Sequence, residues 1–393
     1  MPDFPKKLID KLEKRVEENS LRILPSASNL VDFSSNDYLG FSKEIWIGEK
    51  AREILRSSDS RNGATGSRLL SGNYALYQTL ENYLANFHNC GSALVFNSGY
   101  DANLGFFASV PQRGDFIFYD EYAHASIRDG IQLSNAKSYK FKHNDLADLK
   151  TKVELLVQTN HPEPVEGELR IENLEIYIVT ESVFSMDGDS PDLEGLSRFC
   201  EENNCHLVVD EAHAGGIFGG GKGLCQEHEI EDVIFARIIT FGKAMGCHGA
   251  AILGSKELRE YLVNYARSLI YTTALPPHAI ASILAAYDFL NSSEGKDKQQ
   301  QLQENTAYFR KQLQENNLQN CFIESNSAIQ SMEVAGNLTV KNLSEKLSKK
   351  GFDVKAILSP TVPEGKERLR FCLHAFNTKD ELKEIVQILK QVK

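Results

Sequence analysis

From about residue 90 the chain alternates short runs of apolar and β-branched residues with longer stretches of helical periodicity. The runs are Ser92–Ser98, Asp115–Asp120, Ser138–His143, Glu175–Ser182, His206–Ala212, Arg237–Lys243 and Ala250–Ser255. Most are separated by connections long enough for a crossover helix, which predicts an α/β fold with a largely parallel seven-stranded sheet covered on both faces. Only Ala244–Gly249 separates the last two runs. That connection is too short for a parallel crossover, so the final strand is predicted to run antiparallel to its predecessor. Upstream, Phe4, Leu8, Ile9, Leu12 and Val16 recur at helical spacing among the charges of Met1–Ser20. This predicts an amphipathic helix and not the apolar core of a signal peptide. Downstream, the prolines of Thr272–Ala279 (TTALPPHA) mark a break, and a helical stretch follows to about Asn316. The remainder reads as a smaller α/β domain, with strand candidates at Ser331–Val334 and Leu369–Leu373 and a polar helical tail. The expected organisation is a helix and arm over residues 1–45, a large domain over 46–275 and a small domain over 276–393. The acidic, proline-rich His161–Glu168 reads as an exposed loop.

Composition narrows the function. With 41% hydrophobic and 25% charged residues and no long apolar run, the chain reads as a cytoplasmic protein without a membrane span. A formal charge of -11 opposes binding to nucleic acid. The seven cysteines form no CxxC pair and no Cys/His cluster at zinc-site spacing, so they read as reduced thiols with no metal site.

The chemistry concentrates in VVDEAHAGG (Val208–Gly216) and TFGKAMGCHGAA (Thr240–Ala251), where Asp210 and Lys243 each close a predicted strand. Ligands of open α/β sheets bind beyond the carboxyl ends of the strands, so the two residues are expected to share a site. A lysine that loses its proton there can form a Schiff base with an aldehyde, and an aspartate can pair with a protonated pyridine nitrogen. His213 could lie against a planar ring. Phe96–Asn103 (FNSGYDAN) passes from a strand through Ser98 and Gly99 into a helix, which leaves backbone amides free for an anion, and Thr240 can add a hydroxyl. Each feature is commonplace singly; together they meet the needs of pyridoxal 5'-phosphate (PLP). A nucleic-acid motor is the rival reading, because Asp210–His213 spells DEAH and Gly216–Lys222 imitates a P-loop. It fails because Gly223 stands where a magnesium-binding Ser or Thr belongs and the loop follows the acidic box.

The chain resembles the α-oxoamine synthases, PLP enzymes of the aspartate-aminotransferase-like fold type I, over nearly its whole length. The resemblance rests on SSNDYLG (Ser34–Gly40), GATGSRLLSGN (Gly63–Asn73), YAHASIRDG (Tyr122–Gly130), SVFSMDGD (Ser182–Asp189), the Asp210 and Lys243 segments, and PTVPEGKERLR (Pro360–Arg370). It implies that Lys243 holds the cofactor and acts as base, that Asp210 pairs with the ring nitrogen and that His124 stacks on the ring. His213 and Ser185 are then expected near the phenolic oxygen, which replaces the stacking role read for His213 above. Gly99 and Tyr100, with Thr240, match the phosphate cup. Thr272 and Thr273 are implied to reach the phosphate of a neighbouring subunit's cofactor, hence a homodimer with shared sites. Arg370 matches the arginine that holds the substrate carboxylate, and Arg22, Asn36 and Thr361 match substrate-side positions. Without the resemblance, Arg370 reads as a solvated strand residue and the two threonines as helix caps.

Within the family, CHGAAI (Cys247–Ile252), RSLIYTTALPPH (Arg267–His278) and NSAIQ (Asn326–Gln330) are most similar to the branch that acts on L-alanine and pimeloyl-CoA or pimeloyl-acyl-carrier protein. The alternative is another acyl-CoA:amino-acid condensation, with glycine or serine. The sequence departs from the family pattern at Ser182, where glycine is common, at Glu211, where aspartate is common, and in a longer loop over Asn160–Glu172.

Overall fold

The computed structural model describes residues 4–24, 29–58, 61–160 and 175–392; the expected loop at His161–Glu168 lies outside the described residues. After a short extended piece, β1 (Val31–Asp32), seven strands build the main sheet. They are β2 (Ser92–Phe96), β3 (Phe116–Asp120), β4 (Lys137–Phe141), β5 (Ile176–Glu181), β6 (His206–Asp210), β7 (Ala236–Thr240) and β8 (Ala250–Gly254). Their spatial order is β2-β8-β7-β6-β5-β3-β4. Strand β8 is antiparallel to both β2 and β7, and the remaining neighbours are parallel, as the short Ala244–Gly249 connection requires. Every residue of β5 is buried, the pattern of a strand covered on both faces. Strand β4 ends the sheet with Lys137, Ser138, Tyr139 and Lys140 exposed, and charges on such an edge discourage pairing with another strand.

The first seven helices are α1 (Lys6–Glu17), α2 (Ile45–Ser58), α3 (Ala75–Phe87), α4 (Gly99–Ser109), α5 (Ala125–Leu133), α6 (Leu146–Asn160) and α7 (Leu193–Glu202). Phe106 and Phe107 of α4 and Ile127 of α5 pack into a core with Leu94, Ile117, Val179, Val208, Ile238 and Ile252 from the sheet. Burying each such side chain contributes about 1.5–3 kcal/mol. Helices α4 and α5 approach closely at Gly130, where an added Cβ would lie 2.9 Å from the Asn103 carbonyl oxygen and 2.9 Å from Phe107 Cβ. Helix α1 forms as predicted, but its apolar stripe is exposed, and none of its residues is buried. No helix among the described residues is long and apolar enough to cross a membrane.

Contacts gather the chain into two compact units, one of residues 39–184 and 190–299, the other of residues 1–38, 185–189 and 300–393. The second carries β9 (Ile329–Glu333), β10 (Phe352–Asp353), β11 (Lys355–Ile357) and β12 (Arg368–Cys372). Strand β12 lies between β11 and β9, antiparallel to both, and β1 pairs in parallel with β10. Pro276 and Pro277 open the helix Pro277–Leu290, a position where the missing N–H costs nothing. The C-terminal helix Lys379–Val392, polar on average, buries Leu382, Ile385, Val386 and Leu389 along one stripe.

Candidate active site

In the larger unit the carboxyl ends of β5 and β6 lie side by side, with Glu181 and Asp210 as register partners. Both are buried. Asp210 Oδ1 accepts the Ala212 backbone N–H (2.9 Å), and Oδ2 accepts from Asn103 Nδ2 of α4 (2.8 Å). The Asp210 carboxylate is therefore held at both oxygens. Glu181 Oε1 accepts the His124 backbone N–H (2.7 Å). Burial pushes the Glu181 carboxyl up to about 8, the charge of Asp210 adding to the effect and that of Lys243 opposing it. Asp120, at the end of β3, accepts the backbone N–H of Tyr122 (2.8 Å) and of Asn144 (2.8 Å), which anchors the segment leading to His124. His124 caps α5, its Nδ1 accepting the Ser126 N–H at 3.2 Å. Burial lowers the His124 pKa; Asp210 opposes this, whereas Lys243 and Arg128 add to it.

Lys243 does not close its strand as expected. β7 ends at Thr240, and Lys243 lies three residues further, in the turn toward β8. The cause is local: Phe241 N–H donates to the Gly249 carbonyl (2.9 Å) and Gly246 N–H to the Lys243 carbonyl (2.8 Å), folding FGKAMG back on itself. Lys243 is close enough to lower the Glu181 and His124 pKa values, as Asp210 is to raise them, so the lysine lies near the edge that holds Asp210. His213, three residues beyond Asp210, is buried.

The predicted passage from strand through Ser98 into a helix is present. Ser98 caps α4, its Oγ accepting the Asp101 N–H at 3.0 Å, and Gly99 and Tyr100 supply the first amides of the helix. A Cβ on Gly99 would lie 2.7 Å from Thr240 Cγ2, so Thr240 closes one side of a cradle that admits only glycine there. The Tyr100 hydroxyl donates to Asp129 Oδ2 (2.5 Å), which draws its ring toward α5. Asn97 Nδ2 donates to Thr272 Oγ1 (3.3 Å) and to the Thr273 carbonyl (2.6 Å), so this loop is tied to the segment that leads into the cup. An amine, a doubly held buried carboxylate and an amide cradle beside a hydroxyl are the donor set that PLP requires, and the residues present fit it.

In the smaller unit, Arg370 lies in the central strand β12, buried rather than solvated. Its Nε donates to the Ser185 carbonyl (2.6 Å), Nη2 to Asn36 Oδ1 (3.0 Å) and Nη1 to Cys372 Sγ (2.9 Å). The Tyr38 hydroxyl also donates to Asn36 Oδ1 (3.0 Å). Arg22 Nη2 donates to Thr361 Oγ1 (3.3 Å). The unit therefore brings together Ser185, Asn36 and Arg370, and separately Arg22 and Thr361.

Sequence reasoning missed Asn103, Ser126, Glu181, Asp120 and Cys372. Glu181 and Asp120 end strands just as Asp210 does, so the same strand-end rule could have found them. Asn103 lies one helical turn beyond Gly99, on the cup's own helix. For Cys372 the only signal was its place two residues beyond Arg370 on the same strand face.

The sequence profile of the aminotransferase class I and II family matches residues 28–389. Among curated proteins, an 8-amino-7-oxononanoate synthase of Emericella nidulans is 41% identical, the match covering 99% of this chain and 97% of that protein. One of Lysinibacillus sphaericus is 34% identical over 95% of this chain and 91% of that protein. Among solved structures, the 8-amino-7-oxononanoate synthase of Francisella tularensis is 28% identical, with a TM-score of 0.74, 92% of this chain and 97% of that one being covered. A serine palmitoyltransferase of Sphingomonas wittichii superposes with a TM-score of 0.84 over 98% and 96% of the two chains, at 24% identity, a likeness of fold alone.

Proposed function

The chain belongs to the aminotransferase class I and II family, and on that premise we propose that it is a PLP-dependent acyltransferase of cytoplasmic biotin synthesis. It condenses L-alanine with pimeloyl-CoA or pimeloyl-acyl-carrier protein to give 8-amino-7-oxononanoate, carbon dioxide and free thiol. The observation that carries this reading is the 41% identity to the Emericella nidulans synthase, which extends through 99% of the chain and hence through both units. The likeness to serine palmitoyltransferase supports the fold and gives no reason to prefer serine.

PLP bound at Lys243 supplies an electron-poor ring that takes up the carbanion charge developed at the amino acid's Cα. Lys243 Nζ would hold the cofactor and would take the proton from the amino acid's Cα. Asp210, fixed by Asn103 and Ala212, stabilises positive charge on the ring nitrogen. The Gly99 and Tyr100 amides and the Thr240 hydroxyl receive the phosphate. His124 would cover the ring, and His213 and Ser185 would serve its phenolic oxygen. Arg370 holds the amino-acid carboxylate, its planar guanidinium oriented by Ser185, Asn36 and Cys372. Arg22, Asn36 and Thr361 face the substrate. The protein works as a homodimer in which Thr272 and Thr273 serve the neighbouring subunit's phosphate.

The test incubates pure, PLP-loaded protein with pimeloyl-, acetyl- and palmitoyl-CoA against alanine, glycine and serine, and measures thiol release. Release with pimeloyl-CoA and alanine is expected. Release with acetyl-CoA and glycine alone would overturn the substrate assignment and keep the reaction class.

A further inference from the structure

A chain of four side chains runs through the larger unit, from the buried Asp210 through the buried Asn103 and Ser126 to the more exposed His124. Asn103 is 2% exposed and spends its two amide hydrogens on Asp210 Oδ2 (2.8 Å) and Ser126 Oγ (3.0 Å). Turning the amide over would set its oxygen against the Asp210 carboxylate, so this orientation is the one the charges allow. Its own Oδ1 is buried without an acceptor's partner, a cost that the two N–H bonds must outweigh. Ser126, 1% exposed, then stands 2.7 Å from His124 Nδ1.

The direction of each bond follows. The Ser126 backbone N–H can only donate, and it points at His124 Nδ1 (3.2 Å). Nδ1 therefore carries a lone pair. The Ser126 hydroxyl accepts from Asn103 and must donate its own hydrogen to that lone pair. In a neutral imidazole with Nδ1 as acceptor, the proton resides on Nε2. The surrounding charges are Asp210, Asp129, Lys243 and Arg128, with the Glu181 carboxyl held on the His124 backbone N–H; burial, Lys243 and Arg128 favour the neutral ring, and Asp210 and Asp129 oppose them.

We propose that Asn103 and Ser126 are positioning residues that fix His124 as the Nε2–H tautomer, so that the ring enters the acyl-transfer step as a hydrogen-bond donor and not as a base. The inference rests on the condensation proposed above. As the substrate carbanion adds to the thioester carbon, the C=O electron pair moves to oxygen, and Nε2–H donates to that oxyanion. When the C–S bond breaks, the electron pair returns to re-form C=O, the sulfur leaves with its bonding pair, and the proton stays on Nε2. One amide thus serves both ends of the chemistry, holding Asp210 for the ring nitrogen and Ser126 for His124.

The experiment labels histidine with nitrogen-15 in the full-length, cofactor-free chain and assigns His124 by its loss in His124→Asn. The parent is expected to show a lone-pair type resonance at Nδ1 and an N–H type resonance at Nε2. Ser126→Ala leaves only the longer amide contact, and its two resonances should move toward one another, whereas Ser126→Thr, which keeps the hydroxyl, should restore the parent pattern. In the PLP-loaded protein Ser126→Ala should lower kcat for thiol release on the order of ten- to a hundredfold while KM for alanine stays within about twofold, the mark of an interaction made in the transition state. Asn103→Leu should act in the same direction, with Ser126→Ala as the milder control for folding. An N–H resonance at Nδ1 in the parent, or a Ser126→Ala spectrum and kcat equal to the parent's, overturns the proposal. A parent with the expected tautomer that releases thiol from no substrate pair supports the tautomer assignment and overturns the functional reading.

Discussion

Glu181 and Asp210 are neighbours at two strand ends, but their surroundings differ. Asp210 receives two N–H bonds, whereas Glu181 receives one, from His124, and is pushed up to about 8. Between its ordinary 4.5 and about 8 the folded chain therefore binds a proton at Glu181 that the unfolded chain lacks, so this group's contribution to stability falls as pH rises through that window. Glu181→Gln should remove that slope, an effect on the order of a few kcal/mol at its upper end. Urea unfolding of the cofactor-free chain at about pH 5 and about pH 8 checks it: the parent should lose stability between the two, and the variant should lose less. Asp210→Asn keeps the shape of the side chain and removes its charge. Thiol release is expected to drop on the order of 10²- to 10³-fold, the usual cost of losing one aimed electrostatic partner.

Helix α4 does two jobs, presenting its first amides at the proposed phosphate site and carrying Asn103 one turn deeper to Asp210. Two glycines govern how it sits. Gly99→Ala places a Cβ 2.7 Å from Thr240 Cγ2. It is expected to weaken PLP binding about tenfold, or 1.4 kcal/mol, in a fluorescence titration, and to lower the thermal stability of the cofactor-free chain as Thr240 is pushed aside. Gly130→Ala instead wedges α5 from α4 at the Asn103 carbonyl and should cost about 1–3 kcal/mol in urea unfolding, as overpacked cores do. The P-loop imitation finds its explanation at this scale too. Gly223, at φ 113°, packs so tightly on the buried Glu211 carboxylate that a Cβ would lie 2.5 Å from it, and Cys225 N–H donates to the same carboxylate (3.0 Å). The glycines there shape a turn around an acidic side chain rather than cradle a phosphate.

For the molecule as a whole, the exposed apolar stripe of α1 and the exposed Leu70 and Tyr271 accord with the proposed homodimer. Sedimentation is expected to give twice the 44.0 kDa of one chain. If Thr272 and Thr273 act across the dimer, then mixing an inactive Lys243→Ala protein with an inactive Thr272→Ala/Thr273→Ala protein rebuilds one working site in each mixed dimer. Thiol release from the mixture, absent from either parent alone, is the readout.

Seven strands, the antiparallel final one and the helix start at Ser98–Tyr100 were legible because each is a local matter of periodicity, connection length or a capping residue. Strands β1, β10 and β11 were not, being two or three residues long and held by pairing with distant partners. Among the proposed site residues, Asp210 announced itself through a strand end and Gly99 through a helix start; Lys243 was read at a strand end but lies in the turn beyond one, because FGKAMG folds back on itself. Arg370 looked like a solvated residue because an alternating strand says nothing of what lies on its polar face; only the register of β12 between β9 and β11 buries it. Which hydrogen His124 carries is likewise absent from the sequence. It depends on an amide 21 residues upstream, brought to Ser126 by the close packing of α4 on α5 at Gly130. Local chemistry set the strand ends and the reactive groups placed there; tertiary packing decided their partners, because hydrogen-bond direction and burial depend on neighbours far away in the chain.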